Sequence, residues 1–204
     1  MTRILLWQGF HGDAGIQSLV ARALAGEHLL ILCPPRVDDF AFVRLLPPGE
    51  LQFAGNWTKP AGLEELRLPE ANAYPERPAL GIFTSGTTKT PKLVFYTRQN
   101  IESCAEAIYG LFDRARIAEI FCYPQPFHTF GLTLGYAAAE IFGWKLCAPA
   151  GKYARAQHDA WLARTGARTL TLGTPTHFSD LLDHIAAADI KPVRFFLWVA
   201  GAAS

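Results

Sequence analysis

The sequence carries little charge, and the two signs are balanced. Of its 204 residues, 18% are charged, and 19 basic against 18 acidic side chains leave a formal net charge of +1. No basic stripe runs along the chain, so a nucleic-acid partner has no electrostatic support. Half of the residues are apolar, a composition and length that predict a packed globular protein rather than a disordered one.

The chain also lacks paired cysteines and long apolar runs. Its four cysteines, Cys33, Cys104, Cys122 and Cys147, form no C-x-x-C pair, and each lies in an apolar stretch typical of a small buried side chain. The apolar run at residues 4–7 is too short for a signal-peptide core, and the longest stretch, residues 131–144, contains Glu140 and is too short to span a bilayer. We therefore expect a protein of a reducing compartment, cytoplasmic and without a membrane partner.

Residues 1–77 have the weaker pattern and are predicted to form an N-terminal α/β lobe. Two short apolar runs, 4–7 and 29–33, predict buried strands, with a helix at about 14–25 between them. The prolines that follow, at 34–35 and 47–48, predict turns rather than further regular structure.

From residue 78 onward, strand patterns alternate with helix patterns. Four helices are predicted near 98–112, 130–142, 156–164 and 175–188, the first with Thr97 as its N-cap and the second buried on all sides. Strands separated by single helices favour parallel pairing. The predicted fold is α/β and layered, with a mainly parallel sheet and flanking helices. The predicted strands lie near 79–84, 92–96, 119–123, 145–149, 169–173 and 194–200.

The segment GIFTSGTTKTPK, residues 81–92, joins two predicted strands with hydroxyls, glycine and lysines, which are groups that bind phosphate. A Walker A loop is excluded because Thr87 and Thr88 follow Gly86, where that motif needs lysine and then serine or threonine. A nucleophile elbow is excluded because Phe83 and Thr87, not glycines, flank Ser85 at the required spacing. A plain polar hairpin loop is the structural alternative.

Residues 84–93, TSGTTKTPKL, resemble the phosphate loop of the adenylate-forming (AMP-binding) enzyme superfamily, which includes the acyl- and aryl-CoA ligases and typically has Thr-Ser-Gly-Thr-Thr-Gly-x-Pro-Lys-Gly. Lys89 and Leu93 replace glycines of that pattern. Lys89 either strains the loop, if the backbone there has positive φ, or adds a charge for the phosphates. The resemblance implies that the phosphates of ATP are bound by Thr84, Ser85, Gly86, Thr87, Thr88, Lys89 and Lys92.

Two further stretches resemble the same superfamily and imply an acyl-substrate pocket. Residues 126–131, PFHTFG, are similar to its second signature, and the terminal run FFLWVAGAA, residues 195–203, is similar to a strand that ends in Gly-Gly-Ala. Thr174-Pro175-Thr176 also matches a strand-to-helix junction of the superfamily, but an N-cap followed by proline explains that stretch. The implied pocket residues are Phe127, His128, Gly131, Gly201 and Ala202. A lone histidine at a helix start is otherwise often a structural residue.

The predicted helix at 175–188 carries histidines and aspartates that could be considered as metal ligands. His177, Asp180 and His184, with Asp183 nearby, have a spacing that puts them on one helical face. Polar residues on a solvated face produce the same spacing, and the superfamily has no metal there, so we predict no metal site.

The resemblance covers about residues 78–204, and several motifs of the superfamily do not occur in these 204 residues. Missing are the Tyr-Gly-x-Thr-Glu stretch with the magnesium-ligating glutamate, the ribose-binding aspartate and the lysine of a mobile C-terminal domain. The implied cofactors are ATP with Mg²⁺, and coenzyme A. The implied substrate is a small carboxylic acid, and a separately encoded remainder or self-association would complete the protein. The alternative is a non-catalytic module that binds nucleotide or acyl groups, so whether the chain is itself an enzyme is left open.

Overall fold

The computed structural model describes residues 2–10, 15–35, 46, 49–55, 77–84, 92–164, 166–187 and 196–199. The chain divides into two compact units, residues 1–101 and 102–204. No helix within the described ranges is long and apolar enough to cross a membrane.

The first unit is built on a five-stranded sheet with the order β3-β1-β2-β4-β5. Strand β1 pairs in parallel with β2 and β3, β2 pairs in parallel with β4, and β4 and β5 form an antiparallel hairpin. All five residues of β2 are buried, as expected for a central strand of a parallel sheet. The elements are β1 (Thr2–Gln8), α1 (Ile16–Leu24), β2 (Leu29–Cys33), β3 (Gly49–Gly55), β4 (Leu80–Thr84) and β5 (Lys92–Tyr96).

Strand β3 contradicts the prediction that only turns follow Pro47 and Pro48. The strand begins at Gly49 and pairs along its whole length with β1, from Thr2 opposite Gly49 to Gln8 opposite Gly55. Its residues are partly or fully exposed and include two glycines, so its own sequence lacks the continuous apolar run of a buried strand. Pairing with a strand more than forty residues away in the sequence produces this element.

The second unit contains a four-stranded, all-parallel sheet with the order β7-β6-β8-β9. The predicted strands and helices of this half are confirmed, most with ends that differ by one to three residues. The strands are β6 (Glu119–Cys122), β7 (Lys145–Cys147), β8 (Thr169–Gly173) and β9 (Phe196–Val199). The helices are α2 (Arg98–Tyr109), which begins in the first unit, a 3₁₀ turn (Arg114–Arg116), a π-helix (Phe130–Ala137), α3 (Ala138–Phe142), α4 (Gln157–Arg164) and α5 (Pro175–Ala187).

Strand β6 shows the layered arrangement, because its side chains alternate between two cores. Ile120 and Cys122 belong to a core that includes residues of α2, the π-helix and α3. Phe121 and the following Tyr123 belong to a second core, which includes Trp161 of α4 and two residues of α5. The sheet is therefore covered by helices on both faces, as the predicted fold class requires.

Helix α2 confirms one local prediction and corrects another. Thr97 caps the helix, since its hydroxyl accepts the backbone N–H of Asn100 at 3.1 Å while the Asn100 side chain accepts that of Thr97 at 3.1 Å. Cys104, predicted to be buried, is exposed, whereas the other three cysteines are buried. The buried positions of α2 are Ile101, Ala105 and Tyr109, a four-residue spacing that leaves position 104 off the buried face.

Candidate nucleotide and acyl site

The β4–β5 hairpin brings the two ends of the predicted phosphate loop together. Thr84 and Lys92 are directly paired across the two strands, and the Thr84 hydroxyl donates to the Lys92 carbonyl at 3.4 Å. Lys92 is exposed at the start of β5. The predicted phosphate-binding residues between them, Ser85, Gly86, Thr87, Thr88 and Lys89, lie outside the described residues, as do Gly201 and Ala202 of the predicted acyl pocket.

The hairpin is anchored by a close approach at Gly81. A Cβ atom there would lie 2.6 Å from Cδ1 of Ile31 on β2 and 3.3 Å from the Phe95 ring on β5. Only glycine allows both neighbouring strands to place apolar side chains over this position. The strands that enter and leave the predicted loop are thus fixed to the core of the first unit.

The second signature forms a tight turn at the carboxyl end of β6. Phe127 is buried, and the His128 backbone N–H donates to the Gln125 carbonyl at 3.1 Å. Gly131 lies against the backbone of this turn, because a Cβ atom there would be 2.3 Å from the Pro124 oxygen and 2.4 Å from that of Gln125. The glycine of the signature is therefore required by packing at the start of the π-helix.

The His128 side chain is exposed beside this turn, with its ring centroid 4.7 Å from that of Phe127. The surrounding residues desolvate the ring in part and lower its pKa below the usual 6.5. His128 is therefore neutral at pH 7 and accessible to a small molecule. The structure places Phe127, His128 and Gly131 at one turn, and their role in an acyl pocket stays a prediction.

A partly buried polar cluster at the carboxyl edge of the same sheet was not predicted from the sequence. The Tyr123 hydroxyl lies 2.8 Å from Nδ1 of His158, and the Tyr153 hydroxyl lies 3.1 Å from Nε2 of the same ring. The Tyr153 hydroxyl also donates to Asp180 at 2.7 Å, and Arg155 donates to the other oxygen of Asp180 at 2.7 Å. The His158 side chain is fully buried, with both ring nitrogens engaged.

The sequence could have indicated this cluster only through the positions of its residues relative to the parallel strands. Tyr123 directly follows β6, and Tyr153 and His158 follow β7, so all three come after parallel strands whose carboxyl ends share one edge. In open α/β sheets that edge is where ligands bind. Residue types alone gave no indication, because tyrosine and histidine are common in cores.

Three of the four side chains considered as metal ligands, Asp180, His184 and His177, have other partners. The Asp180 carboxylate is bound by Tyr153 and Arg155, and these hydrogen bonds lower its pKa. His184 pairs with Asp159 at 2.9 Å. Within the described ranges, no three His, Cys, Asp or Glu side chains gather as metal ligands would.

His177 instead packs against the polar cluster. Its Nδ1 atom accepts the backbone N–H of Thr174 at 2.9 Å, and its ring stacks on that of Tyr123 with centroids 5.2 Å apart and planes 12° from parallel. The Tyr153 ring meets it edge-on at 4.4 Å. Burial, and next the neighbouring His158, lower the pKa of His177 to about 4. Gly173 permits this packing, since a Cβ there would lie 3.0 Å from the Phe178 ring and 3.3 Å from Cβ of His177.

A comparison with protein families tests the resemblance drawn from residues 84–93 and from the second signature, residues 126–131. A model of the AMP-binding enzyme family matches residues 20–204. The chain therefore belongs to the AMP-binding enzyme family, which confirms the resemblance drawn from the phosphate loop and the second signature.

Curated relatives of this chain are fungal acyl-CoA ligases. An acyl-CoA ligase of Beauveria bassiana (strain ARSEF 2860), sidI, is 42% identical over 71 residues, which are 33% of this chain and 12% of the relative. An acyl-CoA ligase of Penicillium expansum, cnsG, is 27% identical over 137 residues, 66% of this chain and 28% of the relative. The chain thus spans less than a third of the length of these two relatives.

Solved structures share the fold at low sequence identity. O-succinylbenzoate coenzyme A synthetase of Bacillus subtilis in complex with AMP has a TM-score of 0.71 at 14% identity, over 98% of this chain and 55% of the solved one. ATP-bound MatB of Rhodopseudomonas palustris has a TM-score of 0.64 at 13% identity, over 89% of this chain and 41% of its own. At these identities the likeness establishes the fold, and the chain spans about half of the solved chains.

Proposed function

We propose that this chain supplies the phosphate loop and part of the acyl pocket of an acyl-CoA ligase. In that reaction a carboxylate attacks the α-phosphate of ATP, giving acyl-adenylate and pyrophosphate, and a thiol such as coenzyme A then takes the acyl group. The protein positions the two reactants and stabilises charge on the phosphates. The pairing of Thr84 with Lys92 at the two ends of the loop is the observation that carries the proposal.

A closed hairpin suits a phosphate-binding loop for a physical reason. Holding the two ends at neighbouring ladder positions reduces the conformational entropy that seven loop residues, 85–91, would lose on binding. Each charge-assisted hydrogen bond to a phosphate oxygen then contributes about 1.5–3 kcal/mol. Lys92, exposed at one end, adds a positive charge without an orientation requirement.

The proposed acyl pocket begins at the second signature. Phe127 is buried at the base of the turn, and His128 offers a neutral, accessible ring beside it. A neutral imidazole approaches a carboxylic acid and its adenylate without attracting other anions. Gly201 and Ala202 belong to the same proposal through the similarity of the terminal run alone.

The proposal assigns the remaining roles to polypeptide outside these 204 residues. ATP is expected to bind with Mg²⁺, and the magnesium-ligating glutamate, ribose aspartate and catalytic lysine of the superfamily have no counterpart motif here. A separately encoded remainder, or self-association of this chain, would bring such groups to the site. Coenzyme A is the proposed acceptor because the curated relatives are acyl-CoA ligases.

The test compares ATP with AMP. Replacing Thr87, Thr88 and Lys92 together by alanine is expected to weaken ATP binding by at least tenfold and AMP binding far less, because the implied contacts are to the β and γ phosphates. Isothermal titration calorimetry of the 204-residue chain measures both affinities. A matched control replaces the exposed Ser103 and Lys152 by alanine and should change neither.

The outcome also separates the alternative functions. Equal losses for ATP and AMP, or none, would contradict the phosphate-loop assignment. Binding of a carboxylate by a chain that binds no nucleotide would favour a non-catalytic acyl-binding module.

A further inference from the structure

The hydrogen bonds of the partly buried polar cluster determine which atom carries each shared hydrogen. Asp180 is ionised and can only accept hydrogen bonds, so the Tyr153 hydroxyl donates its hydrogen to Asp180. The Tyr153 oxygen must therefore accept a hydrogen bond from Nε2 of His158. Since Nε2 therefore carries the hydrogen of the neutral ring, Nδ1 accepts from Tyr123. The bonds run in one direction, from Tyr123 through His158 and Tyr153 to Asp180, and we call these four residues the relay.

The relay fixes the surroundings of His177. Tyr123, at its first position, stacks on the His177 ring, and Tyr153, at its third, meets the ring edge-on. Both hydroxyls are held by hydrogen bonds, buried for Tyr123 and partly buried for Tyr153, so neither ring can rotate away without breaking one. The His177 ring is thereby held against two ordered aromatic side chains, one stacked and one edge-on.

The tautomer of His177 is fixed as well. A backbone N–H can only donate, so Nδ1 of His177, which accepts from Thr174, carries no hydrogen. The neutral ring then has its hydrogen on Nε2. The described contacts of His177 are the hydrogen bonds to Nδ1 and the ring contacts with Tyr123 and Tyr153, and no hydrogen bond joins Nε2 to a described residue. His177 is only half-buried, so this N–H is within reach of a ligand.

Its location also favours a ligand. His177 lies in the first turn of α5, directly after β8, and Tyr123 directly after the neighbouring β6. Both are at the carboxyl edge of the sheet, and the second signature begins near the same edge at Pro126, three residues after Tyr123.

We propose that Nε2–H of His177 is a hydrogen-bond donor to an oxygen of the carboxylate substrate, and that the relay holds the ring in place for it. This inference rests on the proposed function, because it names a second contact for the same substrate. The sequence predicts no metal site at His177, and an Nε2 atom that carries a hydrogen could not ligate a cation.

The test labels the histidines with ¹⁵N and follows their resonances by NMR. In the free chain, His177 is expected to show an unprotonated Nδ1 and a protonated Nε2 between pH 5 and 8. Sodium benzoate, sodium octanoate and sodium malonate are then titrated singly, and ATP with Mg²⁺ separately. At least one carboxylate is expected to shift the Nε2 resonance of His177.

Variants separate a ligand contact from a structural role. His177→Phe keeps a ring against the two tyrosines but removes the donor, and should weaken carboxylate binding about tenfold or more. His177→Gln retains an N–H near the position of Nε2 and should recover most of that loss. His184→Gln, on the same helix and paired with Asp159, is the control and should bind as the unchanged chain does.

Each outcome bears on the inference. Equal carboxylate affinity in the unchanged chain and in His177→Phe would overturn it. So would the absence of any shift by the three carboxylates while ATP still binds, an outcome that leaves the phosphate-loop proposal intact. If the unchanged chain binds neither the carboxylates nor ATP, the donor role of His177 and the phosphate-loop proposal are both overturned. If His177→Phe fails to fold, the resonance shift and the His177→Gln affinity decide.

Discussion

His128 shows how one exposed side chain distinguishes a binding role from a structural one. Its backbone takes part in the turn through hydrogen bonds to Gln125 and Leu132, whereas its ring is exposed. Replacing His128 by alanine is therefore expected to change carboxylate affinity while altering the free energy of unfolding by no more than about 1 kcal/mol. Calorimetry and urea unfolding measure the two effects.

The control for this variant is His184→Ala, which removes a histidine of the same unit that pairs with Asp159. It should leave carboxylate affinity unchanged. Marked destabilisation of His128→Ala with unchanged ligand affinity would return His128 to a structural role.

His177 gives stability a pH dependence with a definite sign. Its pKa is about 4 in the folded chain against 6.5 ordinarily, mainly because of burial and then His158, while Asp180 opposes the shift. Tyr123, Tyr153 and Thr174 pack against the ring, and Arg155 acts through Asp180. As pH falls below 6.5 the unfolded chain takes up the proton first, so stability present above pH 6.5 is lost towards pH 4.

The expected loss from this one residue between pH 7.5 and pH 5 is on the order of 1–2 kcal/mol, allowing for solvent screening. Urea unfolding at the two pH values measures it. His177→Phe should show a smaller pH dependence than the unchanged chain. An identical dependence in the variant, or stability that rises as pH falls, would refute the assignment.

At the scale of elements, the start of the π-helix depends on Gly131. Residues 131–137 are all buried, and a methyl group at 131 would overlap two backbone oxygens that cannot move independently of the turn. Gly131→Ala is therefore expected to destabilise the chain by about 2 kcal/mol or more, and to displace the turn that holds Phe127 and His128. Thermal unfolding and carboxylate binding should both decline.

Gly166→Ala is the matched control for this effect. The nearest atom to a Cβ at that position is 3.9 Å away, so the substitution should be neutral or slightly stabilising. Similar stabilities of the two alanine variants would show that the packing at Gly131 is adaptable and would remove the reason given for this signature glycine.

At the scale of the whole molecule, the 204 residues alone are expected to bind ligands but not to catalyse adenylation. Several groups that act together in adenylation have no counterpart motif in this sequence, and losing such groups costs many decades of rate. The chain incubated with ATP, Mg²⁺ and the three carboxylates should release no carboxylate-dependent pyrophosphate. Sustained release from a monodisperse monomer would contradict the proposed division of roles.

The same experiment should be accompanied by analytical ultracentrifugation. In the described part of the second sheet, β9 occupies an edge, and its sequence, FLWV, is wholly apolar. Edge strands of this kind pair readily with other chains, so self-association is expected unless a partner covers β9. A chain that remains monomeric at high concentration would argue against that expectation.

Local sequence was sufficient to predict the positions of most strands and helices of the second unit. Short apolar runs bounded by turn residues located β6 and β8, and Thr174 followed by Pro175 located the start of α5. The family could also be recognised from the sequence, because residues 84–93 and the second signature are continuous stretches that resemble its motifs. These features need no long-range partner to be recognised.

Tertiary structure alone decided the features that join distant residues. Strand β3 exists through its pairing with β1, and the relay joins residues 123, 153, 158 and 180 because parallel strands bring their carboxyl ends to one edge. The lowered pKa of His177 depends on burial and on His158, which lies on a different helix. Pairing, burial and hydrogen-bond direction are properties of packing, and they are the basis on which Nε2–H of His177 is proposed as a donor.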